Sequence, residues 1–316
     1  MNASFSLKVD HPRVSRGSPW PLLLLILLLF ARAALAGTTF TYISPESDKD
    51  PRQTYDRDLL QLALEKSRPE YGPYELVAAP PMNRDRIRLS IRQNRYPNLF
   101  AMDSWSNRLD FEQMHYVPFP IHLGLTGYRI CFVNPERAKA VAQIRNREEA
   151  RLFLHGQGKG WLDVEILRQA GFKVLERSEY EKLFLMVARG RIDLFCRGVG
   201  ELQQEWKSHA HLPGLTVDSH LLFYYPLPRV FFTHVSNREG LGRIRLGLER
   251  AWRDGSLEAL WRQAFGPSIK AARLEQRLLI PLDNPYLKGI GFDYRRYFYN
   301  PATDRVGDVR SHHPPP

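Results

Sequence analysis

The sequence predicts an α/β protein of two lobes, each a mostly parallel sheet flanked by helices, joined by two extended crossings. Three observations predict it. Short apolar runs alternate with amphipathic helical stretches in two successive sets, the pattern of a largely parallel sheet. Two long, proline-punctuated stretches, 116–133 and 221–235, separate those sets and return the chain. The chain has 316 residues, 43% apolar and 12% aromatic, enough for two cores and too apolar for disorder.

The elements follow in order. Residues 38–43 alternate like a first strand, and 44–54 form a polar loop. A helix over 55–67 buries Leu59, Leu60, Ala63 and Leu64, which recur at helical spacing. A short strand at 74–79 precedes an Arg-rich helix over 82–94 with Ile87 and Ile91 inward, then a strand at 99–102. The crossing at 116–133 carries Pro118, Pro120, Gly124 and Gly127. The second set places helices at 147–152, 161–170 and 179–188, strands at 153–155, 172–175 and 192–196, and a further helix through Trp206. Beyond the second crossing, Leu241, Ile244, Leu248, Ala251 and Trp252 mark one helix face, and Leu257, Leu260, Trp261, Ala264 and Phe265 another. Between them Gly255 can take the left-handed conformation that closes a helix, Ser256 is a good N-cap, and Gly266-Pro267 stops the second helix.

The N-terminus sets the compartment. Lys8, Arg13 and Arg16 precede a leucine-dominated run over 20–30, and Ala34-Leu35-Ala36 supplies small residues before Gly37. This is the order of a secretory signal peptide cleaved after Ala36, and the run is shorter than the roughly 20 residues that span a bilayer. No cysteine follows the cleavage point for lipid attachment. The mature chain carries a net charge of about +8, against +11 for the whole. Its arginines are scattered among helices instead of interleaved with aromatics on one stripe, which argues against nucleic acid as partner. Cys131 and Cys196 both lie in apolar strand-like runs. Buried free thiols are the favoured reading, with a disulfide the alternative in an oxidising compartment.

The stretch 249–266, helix, Asp254-Gly255-Ser256, helix and Phe265-Gly266, resembles the closing segment of bacterial family 3 solute-binding proteins. Ala188-Arg189-Gly190-Arg191-Ile192-Asp193 is similar to that family's helix end, glycine and Asp-bearing strand, with Asp193 a strand-start contact. Asn107-Arg108 resembles its Ser/Thr-x-x-Arg signature, although Trp105 stands where the hydroxyl is expected, flanked by Ser104 and Ser106. The resemblance, patchy over 59–266, implies a type II periplasmic binding protein. Residues 37–122 with 227–266 would form the first lobe, 123–226 the second, and 267–316 an extension on the first lobe with a frayed end.

The resemblance implies that Arg108 clamps a ligand carboxylate, as a planar guanidinium can through two charge-assisted bonds. It also implies an acid near 197 or 198 to hold an amino-acid ammonium, where this chain has Arg197 and Gly198. A small polar solute, anionic or polyhydroxylated, therefore fits better than a free amino acid. Gly156-Gln157-Gly158-Lys159-Gly160 precedes a helix and fits neither nucleotide fingerprint, but its backbone amides could receive an anion. The expected ligand contacts are Tyr42, Trp105, Ser106, Arg108, Gln157, Gly158, Lys159, Arg197 and Tyr224.

No metal site is expected, since His209, His211, His312 and His313 lack partners at ligand spacing. Nor is a cofactor or a catalytic group, since no nucleophile elbow or acid pair stands out. The expected protein is a monomer in the periplasm that closes on its solute and presents it to a membrane permease or a sensor. Two alternatives stay open: a dehydratase-like enzyme on the same scaffold, and an envelope protein whose cleft is plugged by its C-terminal aromatics.

Overall fold

A computed structural model describes residues 37–45 and 54–307. The expected signal peptide, most of the 44–54 loop and the frayed end lie outside the described residues. The first lobe opens with β1 (Thr38–Ile43), α1 (Thr54–Lys66), α2 (Arg68–Tyr71), β2 (Tyr74–Ala79), α3 (Arg84–Arg92), β3 (Ala101–Ser104) and β4 (Met114–Tyr116). The second contains β5 (Tyr128–Val133), α4 (Pro135–Val141), α5 (Arg147–Ala150), β6 (Leu154–Gly158), α6 (Leu162–Gln169), β7 (Lys173–Arg177), α7 (Tyr180–Ala188), β8 (Phe195–Gly198), α8 (Val199–His209), β9 (Thr216–Val217) and β10 (Leu221–Tyr224). Then β11 (Arg229–His234), α9 (Arg238–Arg253) and α10 (Ser256–Ala272) return to the first lobe, followed by β12 (Leu278–Pro281), β13 (Tyr299–Asn300) and β14 (Arg305–Val306).

Each lobe is a mixed sheet. β1 and β2 run parallel, and a parallel bridge from Thr41 to Leu99 leads into β3. β11 then pairs antiparallel with β3 and β4. In the second lobe β6 and β7 are parallel, a parallel bridge joins His155 to Leu194, and β8, β5 and β10 follow in antiparallel order. The antiparallel strands are those entered from the crossings. A strand that arrives without a helical crossover has no route to a parallel neighbour.

The expected thiols are instead a disulfide. Cys131 and Cys196 face each other across β5 and β8, and the bond joins them. It sits in a buried cluster with Leu194, Phe223 and Tyr286.

Two further expectations about the C-terminus change. Helix α10 does not stop at Gly266-Pro267 but runs on to Ala272. An interior proline costs a helix about 3 kcal/mol, and burial of Phe265, Ser268 and Ala272 offsets that cost. The tail is not confined to the first lobe either. β12 adds to the second sheet, parallel to β10, and places Ile280 and Leu282 in the disulfide cluster. The chain then turns back, so that Ile290, Tyr294 and Phe298 join the first lobe's cluster around Trp105.

The closing helices hold the expected left-handed Gly255, but Gly255 itself is the N-cap of α10 and Ser256, expected in that role, is its first helical residue. Gly255 has φ +79°, and Ser256 Oγ donates to Asp254 Oδ1 at 2.6 Å. Helix α9 packs on α1 through Gly247, where an added Cβ would lie 1.9 Å from the Ala63 carbonyl oxygen. Gly247→Ala is therefore expected to push the helices apart and cost about 1–3 kcal/mol, as overpacking does. Urea unfolding checks this, and an unchanged midpoint would sink the account.

Candidate functional site

The cleft between the lobes lies at the C-terminal ends of β2, β3, β6, β7 and β8, where open α/β sheets receive ligands. The first lobe supplies Asn83 and Arg84 at the start of α3 and Met102, Asp103 and Ser104 at the end of β3. The second supplies the loop from Gly158 into α6, Arg177, Ser178, Tyr180, Arg197 and Glu201. Arg229, at the start of β11, forms part of the wall. The enclosed cavity is about 60 Å³, because the lobes already touch. Arg88 Nη1 donates to the Gly160 carbonyl at 3.4 Å, and Arg108 Nη1 meets Glu165 Oε2 at 2.7 Å.

Local geometry explains how each wall is held. Asn83 caps α3 by accepting from Arg86 N, which turns Arg84 to the cleft. Gly158 packs beneath the Trp161 ring, where a Cβ would come within 2.3 Å, and Gly160 takes φ +76°. Only glycine fits both demands. The Trp161 ring in turn covers the Arg197 guanidinium at 4.5 Å.

Beneath the cleft is a network of buried charges. Arg197 Nε donates to Glu205 Oε1 at 2.9 Å, and its Nη2 lies 3.0 Å from Glu201 Oε1. Arg129 pairs with Asp163, which also accepts from Tyr225 Oη at 2.5 Å. Burial works against the Arg197 and Arg129 charges, but the facing carboxylates outweigh it and hold both guanidinium groups above their ordinary range. Arg229 has no such compensation. Burial lowers its pKa, Glu201 opposes this only in part, and Arg84 and Arg129 push it further down. On the first lobe, burial disfavours the Asp103 carboxylate, yet Arg84 and Arg88 more than offset this and keep its pKa below the usual value. Lys159 and Arg177 have no carboxylate within ion-pair distance among the described residues.

No family model matches the chain, and no curated protein sequence does. Solved structures do. An ancestral arginine-binding protein bound to arginine is 17% identical, with TM-score 0.52 over 72% of this chain and 99% of that one. A periplasmic His/Glu/Gln/Arg/opine family-binding protein from Silicibacter pomeroyi, in complex with lysine, is 13% identical, with TM-score 0.53 over 72% and 97%. A histidine kinase sensor domain with similarity to periplasmic binding proteins is 14% identical, with TM-score 0.55 over 73% and 97%. The fold is that of the two-lobed periplasmic binding proteins.

Within this binding-protein fold, Gly158, Lys159 and Arg197 come together at the cleft as expected of neighbours, but Arg197 is not a free grip. Its charge is taken up by Glu201 and Glu205. Arg108 sits on the rim, largely exposed, paired with Glu165 and stacked 4.4 Å over Tyr286. Trp105 is 2% exposed and packs on Phe111 and Tyr116. Ser106 is buried, its Oγ accepting from Arg108 N. Gln157 is fully buried on the opposite side of β6 from its flanking glycines. Tyr224 stacks on Tyr128 at 4.6 Å, and Tyr42 borders a shallow depression beside Arg57 and Tyr74. None of these six lines the cleft.

Asp103, Ser104, Arg84, Arg177 and Arg229 were missed. For the first two the signal lay in the strand: β3 runs on to Ser104, two residues beyond its expected end, and carries Asp103 and Ser104 to the cleft, while the signature around Arg108 pointed past it to Trp105 and Ser106. No helix among the described residues is long and apolar enough to cross a membrane.

Proposed function

We propose that the chain is an extracytoplasmic solute-binding protein that takes a small, polar, anionic solute between its lobes and presents it to a membrane transporter or a sensor. One observation carries this reading: the cleft lies at the strand ends of both lobes and holds Lys159 and Arg177, neither in an ion pair among the described residues, above Arg129 and Arg197, whose charges are already matched by acids. A solute carboxylate would bring the countercharge that these groups lack. A cationic amino acid would instead face Lys159 and Arg177 together. The disulfide supports an oxidising compartment outside the cytoplasm.

Binding without catalysis is the better-supported class. Acid chemistry in the cleft would need a carboxyl with raised pKa, whereas Asp103 is held ionised by two arginines. In isothermal titration, glutarate is expected to bind the wild type and to lose about tenfold in affinity on Lys159→Ala, the worth of one charge-assisted contact. Tight binding of arginine or lysine with glutarate ignored would overturn the reading.

A further inference from the structure

The cleft narrows its own solute by size, charge and hydrogen bonding. With the lobes shut, the cavity between them is about 60 Å³. That is room for about four or five water-sized groups at ~10–15 Å³ each. A longer solute would hold apart the two contacts that join the lobes, Arg88 Nη1 on the Gly160 carbonyl and Arg108 on Glu165.

The lining carries five cationic side chains against three acidic ones, an excess of two positive charges. Two of the acids are already committed. Asp163 pairs with Arg129, which lies outside the cavity. Glu201 is spread over Arg197 at 3.0 Å, Arg129 at 3.7 Å and Arg229 at 3.9 Å. Arg229 is 8% exposed, and its Nε has no hydrogen-bond partner. Two helices also begin at the cavity, α6 at Leu162 and α7 at Tyr180, and no side chain caps either of them. Their first amides have no partner within the helix and carry partial positive charge.

The third acid, Asp103, sets a finer condition. Arg84 and Arg88 pair with it, so it is ionised and can only accept. It takes hydrogen bonds from Arg88 Nε and Ser104 N, both at 2.7 Å, two of the about four that a carboxylate accommodates. An oxyanion without a proton would meet this carboxylate oxygen to oxygen. One that carries a proton can donate to it.

Resting on the reading that the cleft takes an anion, we propose that its solute is hydrogen phosphate. The oxygens of this compact dianion meet Lys159, Arg177 and the amides that open α6 and α7, and its proton goes to Asp103.

Isothermal titration at low ionic strength and about pH 8, where a phosphate group carries two charges, compares four probes on the wild-type chain. Inorganic phosphate is expected to bind tightest. Sulfate has the same shape and charge but no proton, and should bind at least about tenfold more weakly, because it leaves Asp103 facing an oxygen. Glycerol 3-phosphate is larger and also lacks the proton, so it should lose at least as much, which separates free phosphate from phosphate carried on another molecule. Glutarate, longer than the shut cavity favours, should also fall below phosphate. Asp103→Asn removes the opposing charge and is expected to bring sulfate within about threefold of phosphate. Should that variant fail to fold, the wild-type series still decides. The proposal is overturned if sulfate or glycerol 3-phosphate matches phosphate, or if glutarate binds more tightly than phosphate. Glutarate binding with none by phosphate overturns it and leaves the anionic cleft standing, whereas no heat with any of the four overturns both.

Discussion

Arg197→Met is expected to destabilise the protein by about 3–5 kcal/mol, more than any other single substitution considered. The side chain is 2% exposed and stands between Glu201 and Glu205, the latter 1% exposed. Taking away one partner of a buried ion pair leaves an uncompensated charge in a medium that solvates it poorly, and that penalty exceeds the pair's own net worth. The methionine fills similar space, so the loss reports charge and not a cavity. Arg197→Met combined with Glu205→Gln should recover a large part of it, because one stranded carboxylate is removed with the guanidinium. Urea unfolding of the two variants measures both values. A single variant within about 1 kcal/mol of the wild type would mean that water reaches these acids and that the network does not hold the cleft floor.

Removing the disulfide with Cys131→Ala and Cys196→Ala should cost about 4 kcal/mol. The two residues are separated by 65 positions, and a loop of that length confines the unfolded chain strongly. Both are buried, at 0% and 3% exposure, so reductant should act on the unfolded chain and scarcely on the native one. Denaturation with dithiothreitol present is then expected to shift the wild-type midpoint to that of the double variant. Coincident midpoints for the wild type with and without reductant would contradict this.

The layout of the chain was readable because it rests on periodicity. Leu59, Leu60, Ala63 and Leu64 can form only one buried helix face, and Gly255 answers a backbone demand that few residues meet. The two α/β sets and their crossings followed from such local signals. The site was less readable, for a physical reason. Whether an arginine grips a ligand depends on which acids face it after folding, and Glu205 reaches Arg197 from one turn beyond the nearest acid of the following helix. Arg108 shows the same limit from the other side: Glu165 and Tyr286, 57 and 178 positions away, draw it to the rim. The disulfide depended on register, since Cys131 and Cys196 are directly opposed only in the pairing that β5 and β8 adopt. The C-terminal strand β12 reads as any apolar run, and nothing local says which sheet edge it will join.

That strand has a consequence for how such a molecule could signal. β12 is bonded into the second sheet, Tyr116 Oη donates to the Ile290 carbonyl on the first lobe, and the Tyr299 amide donates to the Leu123 carbonyl. One returning segment thus staples both halves of the clamshell, and rotation about the crossings must tear at one end of it or the other. A staple whose bonds are complete only in the shut form would raise that form's standing fraction, and with it the apparent affinity for the proposed solute. It also narrows the contrast between empty and loaded shapes. A membrane partner that distinguishes the two would then have less to read in the jaw angle and more in the charge that fills the slot.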